Sequence, residues 1–475
     1  MPLSTIYQHS LGLLTDLYQL TMANGYWKSG RADREAVFHL TYRTNPFDGG
    51  YAIACGLHYV VDWLAGLRFT PSDVEYLATL TGTDKRQLFE NDFLSYLERI
   101  ELCLDVDATA EGTVVFPHEP LVRVRGPLLQ CQLVETGLLN IINFQTLIAT
   151  KSARICDAAG EDDVLEFGLR RAQGIDGGLS AARAAYIGGC AATSNVLAGK
   201  VYGIPVRGTH AHSWVMSFDN ELESFAAYAD AMPNNCVFLV DTFDTIEGVH
   251  HAVEVGRRLR ERGFEMTGIR LDSGDLAALS IQARMILDDA GFANARIVAS
   301  NDLDEYSIQS LKAAGARISI WGVGTRLVTG DRQPALGGVY KLSAIRDDES
   351  GRWQYKVKLS NDPIKMSNPG VQQVRRLITD NQFVGDVIYD EELGMEEDSA
   401  TRSEDLLASV FRAGQQVYDV PTIQAARQRT TQQLAQLPPQ VRHMGGRTEE
   451  YSVTLDRRLQ HEKDRLIEQA ARSET

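Results

Sequence analysis

The sequence predicts an α/β protein: an irregular TIM-like α/β barrel with an additional N-terminal α/β domain that is completed by post-barrel strands. Six strand-like runs between residues 163 and 325 alternate with helix-like segments, an order typical of a parallel sheet. So many units in succession favour a closed barrel over an open sheet. Because eight clean units cannot be recognised, we expect the barrel to be irregular.

The two flanks of this repeat set the expected domains. Residues 1–140 combine an early helix-like stretch, a strand-like stretch and further helical stretches, and two strand-like runs follow residue 338. The last part of the chain is charged and rich in Gln and Arg, with helical patches. We therefore expect an N-terminal α/β domain at 1–140 that is completed by about 338–400, a barrel at 141–337 and a helical C-terminal tail at 401–475.

Composition and charge restrict the classes of function. The 475 residues are 44% hydrophobic and 23% charged, and their net charge of −16 argues against a nucleic-acid or membrane-surface partner. The six cysteines are scattered without a CxxC pair, which favours reduced thiols over disulfides or a zinc site. Neither a signal peptide nor a membrane-spanning apolar run is recognisable, so we expect a soluble cytoplasmic protein.

Polar residues and glycines collect at the carboxyl ends of the six predicted strands. In a parallel barrel these ends meet at one rim, where the active site lies. In strand order they are Arg170 and Arg171; Thr209, His210 and His212; Asp241 and Asp244; Arg270, Asp272, Ser273 and Asp275; Ser300, Asn301 and Asp302; and Gly322, Gly324, Thr325 and Arg326. Arginines and glycine N–H groups suit phosphate oxygens, and carboxylates suit ribose hydroxyls and hydrated Mg²⁺. The set predicts a site for a phosphorylated sugar with Mg²⁺.

Two histidines stand one residue apart in the stretch GTHAHSW, at residues 208–214. In an extended run, side chains two positions apart lie on one side, so we expect both imidazoles to face the same way. Such an H-x-H pair is a ligand pattern of metal-dependent TIM-barrel hydrolases, or one imidazole can act as a nucleophile. Later strand ends carry no further histidine for a metal site, which favours the nucleophile. The remaining alternatives are a phosphate-binding protein without turnover and two polar residues that merely end a strand.

The chain resembles the nicotinate phosphoribosyltransferase family in segments that occur in order from about residue 11 to about residue 345. They read LLTDLYQLTMANGY, EFGLRRAQGIDGG, SNVLAGKVYGIPVRGTHAHS, IRLDSGDLAALS, ASNDLDE and GVGTRLVTG. The resemblance implies conversion of nicotinate and phosphoribosyl pyrophosphate to nicotinate mononucleotide and pyrophosphate, the first step of NAD salvage from nicotinate. It implies ATP as a co-substrate, Mg²⁺ as the cofactor and a homodimer with active sites at the subunit boundary.

By register with the family's Gly-Thr-x-Ala-His motif, the resemblance implies that ATP phosphorylates His212, with His210 as the reserve. A neutral imidazole is a good phosphoryl acceptor, and it needs an orienting partner on its other nitrogen. Glu166 and Asp241 are the two candidates for this partner. Tyr18, in LTDLYQ, matches the tyrosine that stacks on the pyridine ring and that the partner subunit donates.

The resemblance also gives roles to the other rim residues. It implies that Asp272 and Arg270 are catalytic beside His212, and that Mg²⁺ is held through substrate phosphates without a direct protein cage. The residues implied to bind substrate are Arg170; Thr209 and Arg270, near the nicotinate carboxylate; Asp272, Ser300, Asn301 and Asp302, at the ribose; and Gly322, Gly324 and Thr325, at the 5′-phosphate. The stretch GGCAATSNVLAG, expected near the ring, contains no acidic residue, whereas nicotinamide-using relatives place an aspartate there. Its absence favours nicotinate as the substrate.

Overall fold

The computed structural model describes residues 10–347, 349–360, 362, 365–395, 402–442 and 450–473. The chain forms two compact units, the first of Met1–Leu147 with Ala335–Thr475 and the second of Ile148–Pro334. The sequence places the corresponding boundaries at residues 140 and 337. Within the described residues, no helix is both long enough and apolar enough to cross a membrane.

The N-terminal part of the first unit contains five strands among mostly short helices. The strands are β1 (Glu35–Thr41), β2 (Ala52–Ile53), β3 (Asp105–Thr109), β4 (Val114–Val115) and β5 (Val122–Pro127). The α-helices are Leu17–Lys28, Leu57–Gly66, Pro71–Ala78, Asn91–Glu98, Leu128–Leu133 and Glu135–Ala159, and the 3₁₀ helices are Leu11–Leu13 and Pro46–Asp48. The helix Glu135–Ala159 begins in the first unit and ends in the second.

The second unit is built on a parallel sheet. Its strands are β6 (Asp163–Glu166), β7 (Ala192–Thr193), β8 (Val237–Leu239), β9 (Gly268–Leu271), β10 (Arg296–Ala299) and β11 (Ile320–Val323). Their spatial order is β7-β6-β11-β10-β9-β8, and every neighbouring pair is parallel. The helices are Gly174–Gly188, Val196–Tyr202, His212–Val215, Glu221–Ala231, Thr245–Glu261, Leu276–Asp289, Glu305–Ala313 and Thr325–Val328, with the 3₁₀ helix Leu169–Arg171. The alternation of strand and helix that the sequence predicts is thus present.

Polar residues just after the strands begin many of these helices. The side chains of Asn195, Asp244, Asp275 and Asp304 each accept a hydrogen bond from a backbone N–H in the first helical turn. These bonds satisfy donors that a helix leaves free at its start. Asp244 and Asp275, which the sequence places at the rim, therefore have a structural use as helix caps.

The parallel sheet is open within the described residues, with β7 and β8 at its edges. The run PVRGTH, predicted as a full strand, contributes only an isolated bridge between Thr193 and Val206. Backbone bonds of 3.0 Å join Thr193 N–H to the Pro205 carbonyl and Arg207 N–H to the Thr193 carbonyl. Proline has no N–H to donate, and the chain turns into a helix at His212, so the segment is too short to form a ladder with β8. The closed barrel that the sequence favours is therefore not formed by backbone pairing among the described residues.

Strands after the second unit complete the first. They are β12 (Val339–Arg346), β13 (Trp353–Tyr355), β14 (Gln372–Thr379), β15 (Gln382–Asp390), β16 (Arg402–Asp405), β17 (Leu407–Arg412), β18 (Gln415–Gln416) and β19 (Val453–Leu455). One sheet has the order β13-β12-β1-β5-β3-β17-β18, a second β16-β14-β15-β19 and a third pairs β2 with β4. β12 pairs antiparallel with β1, so this strand belongs to the same sheet as strands of the N-terminal part.

The C-terminal segment differs from the predicted helical tail. It does contain the helices Ile423–Gln436, Pro439–Arg442 and Arg457–Ser473. However, β17 pairs with β3 in the seven-stranded sheet, and β16 and β19 belong to the four-stranded sheet. The run LASVFR forms β17, and its residues Leu407, Val410 and Phe411 are buried, which is why this segment forms a strand of the first unit.

Candidate active site

Arg270 lies at the centre of a hydrogen-bond network at the carboxyl edge of the parallel sheet. Its Nε donates to Ser300 Oγ at 2.8 Å, its Nη1 to Thr209 Oγ1 at 3.1 Å and its Nη2 to Asp272 Oδ1 at 3.0 Å. These partners follow three different strands or loops of the second unit. Because a guanidinium presents its donors in a fixed planar fork, the three bonds define its orientation. Arg270, Thr209, Asp272 and Ser300, all predicted site residues, are thus brought together.

Asp272 accepts several hydrogen bonds, and Asp241 holds the turn that carries it. Ser300 Oγ also donates to Asp272 Oδ1. Burial tends to raise the pKa of Asp272, but the bonds from Ser300 and Arg270 and the nearby His212 bring the pKa below its ordinary value. The Asp272 backbone N–H and Ser273 Oγ each donate to Asp241 Oδ2 at 2.7 Å. Asp272 is therefore an anion with a defined position at neutral pH.

His212 faces this carboxylate from the start of the short helix His212–Val215. Its Nε2 lies 3.7 Å from Asp272 Oδ2, and its Nδ1 lies 3.1 Å from Thr242 Oγ1. The side chain is 40% exposed. The orienting partner on Nδ1 is therefore Thr242, which directly follows Asp241 in the chain.

The predicted orienting partners of His212, Glu166 and Asp241, are engaged elsewhere. Glu166 accepts from Gly168 N–H and, at 2.5 Å, from Thr193 Oγ1. Burial raises the pKa of Glu166, and these two bonds offset part of that rise. Asp241 Oδ2 holds the turn at Asp272, as described above. The prediction of a carboxylate on the second imidazole nitrogen is therefore wrong.

The two histidines of GTHAHSW do not face the same way. His210 is buried, and its Nε2 accepts a 3.2 Å hydrogen bond from the Leu239 backbone N–H. Burial lowers the pKa of His210 to about 4, and the charges of Arg270 and His212 add to the effect. The chain is not extended through His212, so the alternation expected for a strand does not hold. Since the Nε2 lone pair already accepts a hydrogen bond, His210 is a poor metal ligand, which weakens the hydrolase alternative.

Arg170 and Arg171 lie apart from this network. They form the end of the 3₁₀ helix Leu169–Arg171, and their side chains are exposed. Among the described residues, neither arginine hydrogen-bonds to the side chains around Arg270. The structure thus places them beyond the end of β6 and leaves them open to a ligand.

The turn after β10 contributes one buried and two exposed side chains. Ser300 joins the Arg270 network, whereas Asn301 and Asp302 are exposed. Both have positive φ, 104° for Asn301 and 45° for Asp302. Asn and Asp tolerate this region better than most residues, which fits a tight turn at the rim.

Glycines at the end of β11 and just after it allow a close approach by Phe167. A Cβ on Gly322 would lie 2.8 Å from two atoms of the Phe167 ring, and one on Gly324 would lie 3.2 Å from the Phe167 carbonyl oxygen. Gly324 precedes the four-residue helix that starts at Thr325. These residues lie at the same edge of the sheet as Arg270, since β11 runs parallel to its neighbours.

Family models match the chain in order over most of its length. The nicotinate phosphoribosyltransferase (NAPRTase) N-terminal domain matches residues 13–143, the NAPRTase family residues 163–373 and the C-terminal domain residues 387–463. Nicotinate phosphoribosyltransferase of Bacillus subtilis (strain 168) is 47% identical over 389 residues, covering 81% of this chain and 77% of that protein. The chain belongs to the nicotinate phosphoribosyltransferase family. The resemblance seen in its motifs is confirmed, and the protein is an enzyme of the phosphoribosyltransferase type.

Other proteins of known structure or sequence are similar over nearly the whole chain. Nicotinate phosphoribosyltransferase pncB2 of Mycobacterium tuberculosis (strain ATCC 25618 / H37Rv) is 40% identical over 462 residues, 97% of this chain and 95% of that protein. The crystal structure of human nicotinic acid phosphoribosyltransferase superposes with a TM-score of 0.84 at 32% identity, covering 96% of this chain and 100% of that chain. The Pyrococcus furiosus nicotinate-nucleotide pyrophosphorylase, at 20% identity and a TM-score of 0.70, shares the fold over 90% of this chain and 95% of that one.

Tyr18 of this phosphoribosyltransferase lies in the first unit, on the helix Leu17–Lys28, with 47% of the residue exposed. Other large apolar residues nearby in the sequence are also exposed, namely Leu11, Leu14, Leu17 and Met22. Exposed apolar residues that cluster in this way are typical of a surface that another molecule covers.

Sequence reasoning missed two features of the enzyme. One is Thr242, because nothing in the sequence around it indicates that it contacts His212. The other is a basic cavity in the first unit, lined by His39, Arg43, His118, Lys341 and Lys365 among others. Burial lowers the pKa of Lys341, and the neighbouring Lys358 and Arg43 lower it further. The basic residues of this cavity come from distant segments of the chain, so no run of basic residues in the sequence indicates it.

Proposed function

We propose that this enzyme converts nicotinate and 5-phosphoribosyl 1-pyrophosphate to nicotinate mononucleotide and pyrophosphate, with ATP hydrolysis coupled through a phosphohistidine at His212. The product places the reaction as the first step of NAD salvage from nicotinate. The observation that carries the proposal is the contact set in which His212, Asp272 and Arg270 share one rim. The family membership and the names of the relatives support the same reaction.

In this proposal, Arg270 and Thr209 bind the carboxylate of nicotinate. A guanidinium has five N–H donors, and its contacts with Thr209, Asp272 and Ser300 orient the group without exhausting them. The carboxylate binds most strongly where a cation is already held in place, because little orientation is then lost on binding. The exposed Arg170 and the glycine turn at Gly322, Gly324 and Thr325 are proposed to bind phosphate oxygens.

Asp272 is proposed to stabilise the cationic ribosyl centre. The bond from the anomeric carbon to pyrophosphate breaks, the pyridine nitrogen forms the new bond, and positive charge develops on the ribose between the two events. An ionised carboxylate held by Ser300 and Arg270 is suited to this charge. Asn301 and Asp302, exposed beside Ser300, are proposed to contact the ribose hydroxyls.

Mg²⁺ is proposed to bind mainly through substrate phosphates. Among the described residues no group of three or more His, Cys, Asp or Glu side chains is arranged to hold a metal ion. Asp241 and Asp272 fit a hydrated ion, because Asp241 Oδ1 is buried and has no hydrogen-bond partner among the described atoms. When bound, Mg²⁺ neutralises charge on the leaving pyrophosphate.

His212 is proposed to accept the γ-phosphoryl group of ATP. Its Nδ1 contacts Thr242, so Nε2 is the nitrogen that remains for the new N–P bond. This bond forms as the bond between the β- and γ-phosphates breaks and ADP leaves. Incubation with γ-labelled ATP should give acid-labile, base-stable label on His212 and none on a His212→Ala variant. The control is His250→Ala, at an exposed helix position, which should label like wild type.

The decisive assay follows turnover of nicotinate and phosphoribosyl pyrophosphate with and without ATP. We expect pyrophosphate release with nicotinate, faster when ATP is present. Binding of both substrates without pyrophosphate release would instead indicate a phosphate-binding protein without turnover. Release without any effect of ATP would remove the phosphohistidine from the proposal.

The finer architecture and assembly also belong to the proposal. The open parallel sheet is proposed to act as an irregular TIM-like barrel, completed at its seam by contacts other than a strand ladder. The enzyme is proposed to be a cytoplasmic homodimer with shared active sites, in which Tyr18 of the partner subunit stacks on the pyridine ring. The exposed apolar residues around Tyr18 support a covering partner, and the free cysteines suit a reducing compartment.

A further inference from the structure

The two edge strands of the parallel sheet, β7 and β8, are not joined to each other by a backbone ladder in the part of the chain that the structure describes, and the junction between these two edges is called the seam here. On one side, the segment around Val206 pairs with β7, and on the other side β8 ends the sheet. Side chains join the two sides where the backbone does not. Leu239 N–H, at the end of β8, donates to His210 Nε2 at 3.2 Å, and Asn235 Nδ2 lies 3.5 Å from the Gly208 carbonyl oxygen. The imidazole of His210 thus accepts the hydrogen bond that a carbonyl of a neighbouring strand would accept from Leu239 N–H in a closed sheet.

The surroundings of His210 fix its ring. The residue is 7% exposed, its ring meets Tyr228 edge-on with centroids 4.9 Å apart, and Phe225 lies at 6.0 Å. Both aromatic residues belong to the helix Glu221–Ala231. Since Nε2 accepts from Leu239 N–H, the neutral ring carries its proton on Nδ1, which lies 3.5 Å from the Ala211 carbonyl oxygen.

The same two chain segments meet again at His212. Thr242, three residues after Leu239, contacts His212 Nδ1, two residues after His210. Thr209, directly before His210 in the same loop, accepts a hydrogen bond from Arg270 at 3.1 Å. Two anchors therefore hold the loop against the end of β8, and the second of them is the residue that faces Asp272.

We propose that His210 is a positioning residue: its neutral imidazole replaces a ladder bond at the seam and so fixes the loop that presents Thr209 and His212. The inference rests on the proposed function, because the loop position matters to turnover only if His212 acts in it. His210 itself touches no substrate. The low pKa given by burial agrees with this use, because the ring keeps its acceptor at physiological pH.

Two substitutions distinguish the hydrogen-bond acceptor of His210 from the packing of its aromatic ring. His210→Gln can place an amide oxygen near the position of Nε2, whereas His210→Phe keeps an aromatic ring and leaves Leu239 N–H without its acceptor. Tyr228→Phe is the control for the packing, because it keeps the ring against His210 and removes a hydroxyl that lies 3.4 Å from Asn235 Nδ2, outside the contact between His210 and Leu239. All three variants leave His212, Arg270 and Asp272 in place.

We expect His210→Phe to lower kcat by about 10- to 100-fold, since a small displacement of a reacting group is costly, and to raise KM for nicotinate, because Thr209 moves with the same loop. The yield of label on His212 from γ-labelled ATP should fall in parallel. His210→Gln should recover kcat to within about fivefold of wild type, and Tyr228→Phe should match wild type. Wild-type kcat in His210→Phe, or no recovery in His210→Gln, overturns the proposal.

Nitrogen NMR of ¹⁵N-histidine-labelled enzyme gives a readout that is independent of turnover. The signals of His210 are those that disappear in His210→Gln. They should show an unprotonated Nε2 and a protonated Nδ1, unchanged between pH 8 and pH 5.5. A proton on Nε2 overturns the proposal. If wild type shows this tautomer but does not turn over nicotinate, the proposed function fails while the seam contact stands. If His210→Phe does not fold, the proposal is tested by kcat of His210→Gln and by the tautomer of His210 in the wild type.

Discussion

The imidazole of His212 and the carboxylate of Asp272 face each other, with Nε2 and Oδ2 3.7 Å apart. The other oxygen of the same carboxylate accepts a 3.0 Å hydrogen bond from Arg270. One anion therefore lies between the proposed phosphoryl acceptor and the proposed carboxylate-binding cation. Displacement or neutralisation of Asp272 should affect both.

Asp272→Asn tests the charge of this group. The amide keeps the size of the side chain but loses the negative charge that is proposed to stabilise the ribosyl cation. We expect kcat/KM for nicotinate to fall by roughly 10²- to 10³-fold, a loss typical of a removed electrostatic contact. The measurement is steady-state kinetics with nicotinate and phosphoribosyl pyrophosphate. Asp289→Asn, at an exposed position on the helix Leu276–Asp289, should retain full activity; equal effects of the two substitutions would contradict the assigned role.

Arg270→Lys tests the planar fork. A lysine ammonium has three donors in a different geometry and cannot reproduce the bonds to Thr209, Asp272 and Ser300 together. We expect KM for nicotinate to rise by about tenfold or more, with a further loss in kcat. Arg296→Lys is the matched control. Arg296 is the first residue of the neighbouring strand β10, and it donates a hydrogen bond to Asp163 at the amino ends of the strands, away from the rim. An unchanged KM in Arg270→Lys would remove Arg270 from the nicotinate site.

Ser194→Asp tests the proposed preference for nicotinate over nicotinamide. Ser194 is half-buried in the stretch without acidic residues, and its N–H donates to the Glu166 carbonyl at 2.9 Å. A carboxylate introduced there should repel the nicotinate carboxylate and spare the neutral amide. We expect the ratio of kcat/KM for nicotinate to that for nicotinamide to fall by about tenfold. Ser194→Asn, of similar size but neutral, should leave the ratio unchanged; the same fall in both variants would point to size alone.

The buried His210 should make the enzyme less stable in acid. Its pKa is about 4 in the folded protein, compared with about 6.5 for an unfolded histidine. Between these values the unfolded chain binds more protons, so the stabilisation is complete above about pH 6.5 and is lost as the pH falls toward 4. Wild type should lose roughly 2 kcal/mol more free energy of unfolding than His210→Gln between pH 7.5 and pH 4.5. The measurement is urea unfolding at both pH values. His250→Gln serves as the control for an exposed histidine and should follow wild type; a wild-type loss no larger than that of His210→Gln would contradict the prediction.

Mixed dimers test whether the active site is shared. If Tyr18 of the partner subunit completes each site, a heterodimer of Tyr18→Ala and His212→Ala subunits contains one intact site. Random assembly from equal amounts of two inactive variants should then restore about a quarter of wild-type activity. The measurement is turnover after co-expression, compared with the two variants purified separately and mixed without exchange. No recovery in verified heterodimers would show that Tyr18 acts within its own subunit or outside the site.

The sequence by itself determined the alternation of strands and helices and most of the rim residues. Strands β8 to β11 fall where short apolar runs precede polar residues, and Asp272 and Ser300 follow two of them because parallel strands expose their carboxyl ends. The preference for His212 over His210 came from the resemblance to the family's Gly-Thr-x-Ala-His motif. These features are local, since they depend on the period of the side chains and on residues adjacent to a strand.

Only the tertiary structure decided how these residues are used. Thr242 meets His212 across 30 residues, and Arg270 meets Thr209 across 61, so no local pattern contains either contact. The buried position of His210, the engagement of Glu166 by Thr193 and the strands within the supposed helical tail likewise depend on which distant segments pack together. Burial and hydrogen bonding are properties of that packing, and they determine which imidazole stays neutral and buried and which one faces a carboxylate.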